Sequence, residues 1–515
     1  MPLRPHRGRK TGGFAVKILA RACGLVLALI LFAAPQKAFA QDCSTICTDG
    51  ETCIAAGLYP YVPDTEAFAS AICSAWTAAG QTEKLYLIAD ENVWDGGYSS
   101  DPVYTNGSGT QVPIDVFVYD AMYLQYWQTQ TTPVPASAIS DASDFVSYAS
   151  KALTQNDGSM LALPMLGCTN IMFYHDDDSG MDGVTSLSDF LSVNPAGVYI
   201  SPVPFDRTGA MMNMSGKTTI AVDYMVKGLL DNGSWPSMNP LDQSIIDAMA
   251  QIAERASWYN ALTGAIPSLP GVEDQYVRAG YFSEGYGRTS IGFSESMSQM
   301  SDATRAGLKL RAFPWTDTAN APNMFYSDVV GVNNASTFLN GGGTLPFTLA
   351  NLMTEQAVVQ DAIAPPSGEL SYLFPARNSV LNALSAQDPL YTQMAAVLNG
   401  ADSVLVTMPT TDRDAFHNFG GTVETAVRGA FTGSCDLEST TFPGSTAEAP
   451  AICRPLCANS GGWVGSWTNE APPAWPGYSA CGCAQCTAES PLPTTVQEPS
   501  AMIMSGPALR RYNRN

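Results

Sequence analysis

The sequence predicts an α/β protein followed by a small cysteine-rich appendage, and three observations carry that expectation. Segments with helical apolar spacing alternate with short apolar runs of strand length, the pattern of layered α/β folds with mostly parallel strands. From Thr432 to Cys486 the composition shifts to Gly, Pro, Ser, Cys and Trp with little periodicity, as in modules stapled by disulfides. No repeat of short period is present, which argues against a solenoid or propeller.

In chain order, residues 1–40 read as a secretory leader. Basic residues from Arg4 to Arg21 precede an apolar run from Leu25 to Ala34, and Ala38-Phe39-Ala40 offers a small-x-small cleavage site. That run is too short to cross a membrane, and no later stretch reaches the roughly 20 apolar residues a spanning helix needs. Residues 41–56 form a cysteine-containing segment, and residues 57–431 form the α/β core. Asp64 to Ala79 is predicted as a helix, with Asp64 as N-cap and Phe68, Ile72 and Trp76 on one face. Strands are expected at Leu85–Ala89, Ile114–Tyr119, Ser290–Phe293, Leu308–Phe313 and Val329–Val332. Further helices are expected at Thr218–Leu230, Ser244–Leu262 and Leu345–Ala364. Residues 432–486 make the cysteine-rich module, and the tail from Thr487 to Asn515 has no core pattern and reads as flexible.

Charge and cysteines narrow the function. The formal charge of the chain is −22, and loss of a leader with seven basic and no acidic residues takes it to −29. Nucleic acid and anionic membrane are poor partners for such a field, whereas a small cation suits it. Of twelve cysteines, one lies in the leader. Cys43, Cys47, Cys53 and Cys73 form one even group, and Cys435, Cys453, Cys457, Cys481, Cys483 and Cys486 another, which leaves Cys168 as the odd thiol in an export context where thiols usually pair. The CGCAQC run has no second matching pair and no histidine nearby, so no metal is expected there.

Ligands of open α/β sheets bind beyond strand ends. Asp120 follows the strand Ile114–Tyr119, Glu295 follows Ser290–Phe293, and Ser327-Asp328 stands just before Val329–Val332. Tyr59 and Tyr61 flank a proline ahead of the first helix, placed to present two rings. A thiol needs a base or cation to become a useful thiolate. His175 reads as a surface loop residue ahead of DDD, so a carboxylate in a closed cleft has to be the base for Cys168. DDDSGMDG from Asp176 to Gly183 lacks the glutamate of a calcium loop and reads as a solvated turn.

Seven ordered blocks, LYPYVPD, DVFVYDAMYL, LALPMLGCTNIMFY, MNMSGKTT, YVRAGYFSEGYGRTSIGFSESM, FYSDVVGVN and YLFPARNSV, carry a resemblance to the thiaminase I (thiamine pyridinylase) family from about Gly57 to about Leu384. The resemblance implies a two-lobed fold like the type II periplasmic binding proteins, with a ligand cleft between lobes. It implies a transferase that attacks the pyrimidine of thiamine, expels the thiazole and passes the pyrimidinylmethyl group to a small amine or thiol. Carried over to this chain, Cys168 is the nucleophile and Glu295 the acid/base, with substrate contacts at Tyr59, Tyr61, Tyr98, Asp120, Tyr276, Tyr326 and Asp328. Phe293 departs from the tyrosine the family carries two residues before the glutamate. No cofactor and no metal are expected, and the protein is expected to be a secreted or periplasmic monomer. The rival readings are a solute-binding protein with the same lobes and no chemistry, and a cysteine hydrolase.

Overall fold

The computed structural model describes residues 42–58, 65–89, 102–194, 209–212, 217–255, 274–285, 287–365, 370–399, 403–430, 435–439, 445, 447–468 and 479–484. The expected leader, Tyr59, Tyr61, Tyr98 and the tail from Thr487 lie outside these residues.

The first sheet is built from β1 (Cys53–Gly57), β2 (Lys84–Ile88), β5 (Val116–Asp120), β6 (Leu163–Cys168), β11 (Met324–Val332), β12 (Phe374–Pro375) and β13 (Val404–Leu405). Its order is β12-β6-β11-β5-β1-β2, with β13 also paired to β11. A hairpin of β3 (Val103–Thr105) and β4 (Gln111–Pro113) lies between β2 and β5 in sequence. The second sheet holds β7 (Ile171–His175), β8 (Ala210–Met212), β9 (Thr289–Gly292) and β10 (Leu308–Ala312), in the order β10-β7-β9-β8. A third holds β14 (Cys435–Ser439), β15 (Trp463–Thr468) and β16 (Ser479–Cys483), in the order β14-β16-β15.

The expectation of mostly parallel strands is corrected. β1 is parallel to β2 and β5, but β11 is antiparallel to β5 and β6, β12 is antiparallel to β6, and β7 is antiparallel to β9 and β10. A strand covered on both faces reads as a continuous apolar run whatever its direction. β11 is such a strand, buried at every position except Asp328. It also begins at Met324, so Ser327 and Asp328 lie inside a strand rather than just before one. β1 contains both the end of the 41–56 segment and Gly57, and it pairs with β2 and β5 in the first sheet.

Helices cover the sheets where apolar spacing placed them. The Thr65–Ala78 helix buries Phe68, Ile72 and Trp76, one turn apart on one face, and the Trp76 indole donates to the Glu83 carbonyl at 3.0 Å. Full burial of each such side chain contributes about 2 to 3 kcal/mol. The disulfides Cys43–Cys73 and Cys47–Cys53 tie the preceding loop to this helix and to β1. The helix expected over Leu345–Ala364 is two, Leu345–Met353 and Gln356–Ile363. The break is local: the Thr354 carbonyl turns out to accept from the Arg377 guanidinium, and Glu355 adopts extended backbone. The Gln243–Ala253 helix ends sooner than the expected Leu262, the remainder lying outside the described residues.

Two crossings join the sheets. Thr169 and Asn170 alone separate β6 from β7, and residues 313–323 separate β10 from β11. The crossings are tied together: the Thr169 hydroxyl donates to the Met324 carbonyl at 2.7 Å, and the Phe313 amide donates to the Asn170 carbonyl at 2.8 Å. Cys168 therefore sits at the point where the chain leaves one lobe for the other.

Candidate active site

Strand register assembles four of the expected residues on one face. Asp328 of β11 is paired with Asp120 of β5, and Tyr326 of β11 with Cys168 of β6. Directly opposed residues share a face, as do residues two apart on one strand, with opposed Cβ atoms about 4.5 to 5.5 Å apart. Asp120, Asp328, Tyr326 and Cys168 thus form a contiguous patch across β5-β11-β6. Gly167 sets what lies behind it. A Cβ there would stand 2.2 Å from the Tyr148 hydroxyl, and Tyr148 stacks on Phe325 with centroids 4.6 Å apart. Any larger residue before Cys168 would push that ring out of the layer below.

The two aspartates are half-buried and face each other with like charge. Burial pushes the Asp120 carboxyl up to about 6, against the hydrogen bond it accepts from the Met122 amide at 2.8 Å. Asp120 is therefore both the cap of the short turn after β5 and a member of the patch. Asp328 is raised well above the usual carboxylate range by burial first, then by the charges of Asp120 and Glu295. Opposed carboxylates in a confined site either share protons or pair with a cation, so the electrostatics of this pair favour positive charge beside it.

The second sheet supplies Glu295. It sits on the 3-10 turn Ser294–Gln299 that follows β9, is 8% exposed, and has the Ser294 hydroxyl at 3.4 Å from its carboxylate. Arg305 holds that turn by donating to the Met297 and Met300 carbonyls. Phe293, at the start of the turn, meets the Tyr326 ring edge-on with centroids 6.2 Å apart, so the second lobe touches the patch at the position where this chain lacks a hydroxyl. Tyr276 is buried on the Asp274–Ser283 helix, which packs against the same turn. Cys168 is half-buried and outside any disulfide.

The sequence missed two neighbours of the patch. Tyr148 lies beneath it, its phenol raised by burial and by the charges of Cys168 and Asp328. Asp223 on the Lys217–Asn232 helix is buried and acts on the Tyr326 phenol. Its signal was available as a lone acid among inward-facing apolar positions. His175 is corrected: it ends β7 and stacks on Phe282 with centroids 4.8 Å apart, rather than lying on a surface loop. Four strand steps separate it from Ile171, about 13 Å, so it is not a base for Cys168. In DDDSGMDG, Asp178 pairs with Arg288 at 2.8 Å and Asp182 with Lys309 at 2.7 Å. Among the described residues no group of three or more potential ligand side chains is placed to hold a metal ion.

Residues 169–316 match the Thiaminase-1 domain family, a span that starts immediately after Cys168 and includes Glu295. The chain is 30% identical to the Thiaminase-1 of Paenibacillus thiaminolyticus over 405 residues, covering 76% of this chain and 90% of that relative. It is similar to the structure of Clostridium botulinum thiaminase I in complex with thiamin, with a TM-score of 0.62, 26% identity, and coverage of 73% of this chain and 98% of that one. Maltose-bound T. maritima MalE3 matches at TM-score 0.50 and 12% identity over 74% of this chain and 94% of that one, a likeness of fold alone. The fold is thus the two-lobed type II periplasmic-binding-protein-like α/β fold, with disulfides in a small C-terminal appendage. With the carboxylate and thiol patch across β5-β11-β6 and an extended match to one enzyme family, the chain belongs to the thiaminase-1 family of thiamine-degrading transferases.

Proposed function

We propose that this enzyme cleaves thiamine through a covalent bond between Cys168 and the pyrimidine ring, with Glu295 as acid/base. Glu295 takes the thiol proton as sulfur adds to a ring carbon. The electrons displaced into the ring then expel the thiazole, whose nitrogen leaves neutral, and the first proton passes to solvent. A small amine or thiol adds to the exocyclic methylene and gives its proton to Glu295; sulfur departs and recovers that proton. Splitting one displacement into two lowers each barrier.

The observation that carries this reading is Cys168, a thiol at a strand end, on one face with the Asp120–Asp328 pair, on which the charge of Glu295 acts, and beside Tyr326, whose ring meets Phe293 at the start of the turn that bears Glu295. The thiazolium is a permanent cation, and the opposed aspartates are suited to attract it. Tyr59, Tyr61, Tyr98, Tyr276 and Tyr326 are proposed as the aromatic contacts of the substrate rings. We also propose that the protein is a monomer of core, cysteine-rich module and tail, exported after cleavage near Ala40; the four disulfides among the described residues support export.

The test is intact-protein mass spectrometry after mixing with thiamine and no added amine. A pyrimidinylmethyl adduct mapped to Cys168 is expected. No adduct, or one that persists in Cys168→Ser, overturns the mechanism.

A further inference from the structure

Arg305 joins the turn that bears Glu295 to the first lobe, a contact that the mechanism above leaves unused. It stands on the Asp302–Ala306 helix, between that turn and β10, with its side chain 15% exposed. Its guanidinium donates to the Met297 carbonyl at 3.2 Å and to the Met300 carbonyl, which fastens the far side of the Ser294–Gln299 turn. The Asp274–Ser283 helix that carries Tyr276 is tied to the same unit: the Ser301 amide donates to the Ser283 hydroxyl at 2.8 Å, and the Thr304 hydroxyl donates to the Ser283 carbonyl at 3.0 Å.

From this unit the guanidinium reaches Tyr372, its carbon 5.4 Å from the ring centroid and within cation–π range. Tyr372 belongs to the first lobe. It lies two residues before Phe374 of β12, which pairs with Gly167, the residue next to Cys168. The ring has further anchors, since its hydroxyl donates to Asp388 at 3.0 Å and it stacks on Tyr391 with centroids 5.9 Å apart. Its backbone has φ 56°, a left-handed conformation that a bulky side chain rarely adopts and that persists only where the surroundings over-determine it. Asp388 in turn caps the Pro389–Leu398 helix, from which Gln393 bonds the Leu310 amide at 3.1 Å and the Leu308 carbonyl at 2.9 Å on β10. Tyr372 is thus held to the second lobe by two routes, and the one through Arg305 ends on the Glu295 turn.

An ion pair with Asp302 would be the simpler use of this arginine. That carboxylate is 96% exposed, a setting in which a pair three residues apart on a helix contributes little, and it calls for neither the two carbonyls nor a ring from the other lobe. We propose that Arg305 is a positioning residue for Glu295, clamping its turn against the Tyr372 ring beside the strand that ends in Cys168 and so setting the separation of acid/base and thiol. The inference rests on Glu295 being the acid/base. Proton transfer needs heavy atoms about 3 Å apart, and a misplacement of about 1 Å caused outside the chemistry lowers a rate on the order of 10²-fold.

The experiment compares Arg305→Ala, Tyr372→Leu, Tyr372→Phe and Arg305→Ala combined with Glu295→Gln in steady-state turnover of thiamine with a fixed amine acceptor. Arg305→Ala and Tyr372→Leu should each lower kcat by about tenfold or more with KM for thiamine within about threefold, because Asp120 and Asp328 lie on the first sheet and stay in place. Tyr372→Phe keeps the ring and should hold kcat within about threefold of the unaltered enzyme. In the Glu295→Gln background, Arg305→Ala should cost less than about twofold more, since the carboxylate it would position is gone. A folded Arg305→Ala or Tyr372→Leu enzyme with unchanged kcat overturns the inference. So does a phenylalanine variant as impaired as leucine, a KM that rises as far as kcat falls, or a double variant whose loss is the product of the two single losses. Should Arg305→Ala fail to fold, Tyr372→Leu decides, alone and in the Glu295→Gln background. Normal turnover in Glu295→Gln would instead overturn the acid/base assignment on which the inference stands.

Discussion

Cysteines in two regions of this molecule occupy similar backbone positions and meet opposite fates. In the C-terminal module, Cys481 and Cys483 lie two apart on β16, and Cys453 and Cys457 lie four apart along the Ala449–Leu456 helix and its cap. Two apart on a strand and four apart on a helix are both spacings of about 6 Å on a single face. The two elements can therefore be joined by two side-by-side bridges, Cys453–Cys481 and Cys457–Cys483, with Cα separations of 5.3 and 5.2 Å. In the cleft, Cys168 is paired with Tyr326 and the carboxylates lie one register step away, so no second sulfur is opposed to it. The residue type does not decide between staple and reagent; the cross-strand neighbours do.

The contrast is broken most severely at the thiol itself. Cys168→Ser should cut turnover on the order of 10³-fold or more while thiamine binding, read by calorimetry, stays within about threefold. Glu295→Gln should cost about 10² to 10⁴ in kcat, with the same small effect on binding. Normal turnover in either variant removes that residue from its role.

The carboxylate pair is the next step down. Asp120→Asn and Asp328→Asn should each weaken thiamine capture by about 1 to 3 kcal/mol. The pH dependence has a definite sign. Asp120 takes a proton as pH falls through about 6, so affinity for the thiazolium should drop between pH 7 and 5, and Asp120→Asn should flatten that slope. Stability runs the other way. A carboxyl whose folded value is raised favours the fold most below its unfolded value near 4, and that contribution is lost as pH rises through about 6. Asp120→Asn should therefore raise the melting temperature more at pH 7 than at pH 4. Thiamine affinity insensitive to pH and to both substitutions would show that the pair does not receive the cation.

How far the sequence could carry this comparison depends on what each feature needs. The Thr65–Ala78 helix is legible because Phe68, Ile72 and Trp76 need only local period, and the odd cysteine is legible by counting. Asp120 is legible as a strand end. Asp328 is legible beside a strand, but its pairing with Asp120 is not, because β5 and β11 join residues more than two hundred positions apart and their pairing depends on strand direction, which an apolar run does not encode. Asp223 was passed over because helical spacing placed the segment without asking which face the acid occupied. The family resemblance supplied Tyr326 and Tyr276, which local reasoning alone would have left as strand and helix interior.

A smaller effect is expected where the comparison is turned around, at the staples. Replacing Cys457 and Cys483 together by alanine removes one bridge without leaving a lone thiol, and should destabilise the module by about 2 to 5 kcal/mol. Turnover should stay within about twofold, because neither residue lies in the strand patch that holds Cys168. Limited proteolysis should show earlier cleavage beyond Thr432 with the core intact. Loss of activity in parallel with that cleavage would tie the staple to the cleft.

The smallest effect on catalysis should come from removing the module altogether, in a chain ending at Ser434. Every proposed site residue falls between Tyr59 and Asp328, and the last described helix of the core, Arg413–Ala430, buries Phe416, Phe419, Val423 and Val427 before the module begins. Within the module the Ala449–Leu456 helix packs against β14, β15 and β16. Trp463 and Trp467 are half-buried against apolar neighbours, so truncation should expose hydrophobic surface and lower the melting temperature by a few degrees, about 2 to 4 °C per kcal/mol lost in a chain of this size. Thiamine cleavage should remain within about threefold of the full chain, since an additive loss far from the chemistry does not reach the transition state. The measurement is kcat and melting on the same two samples. A truncated chain that melts cooperatively yet has lost turnover would mean that the module helps to shape the cleft, and the boundary between staple and reagent would then have to be drawn inside the catalytic unit.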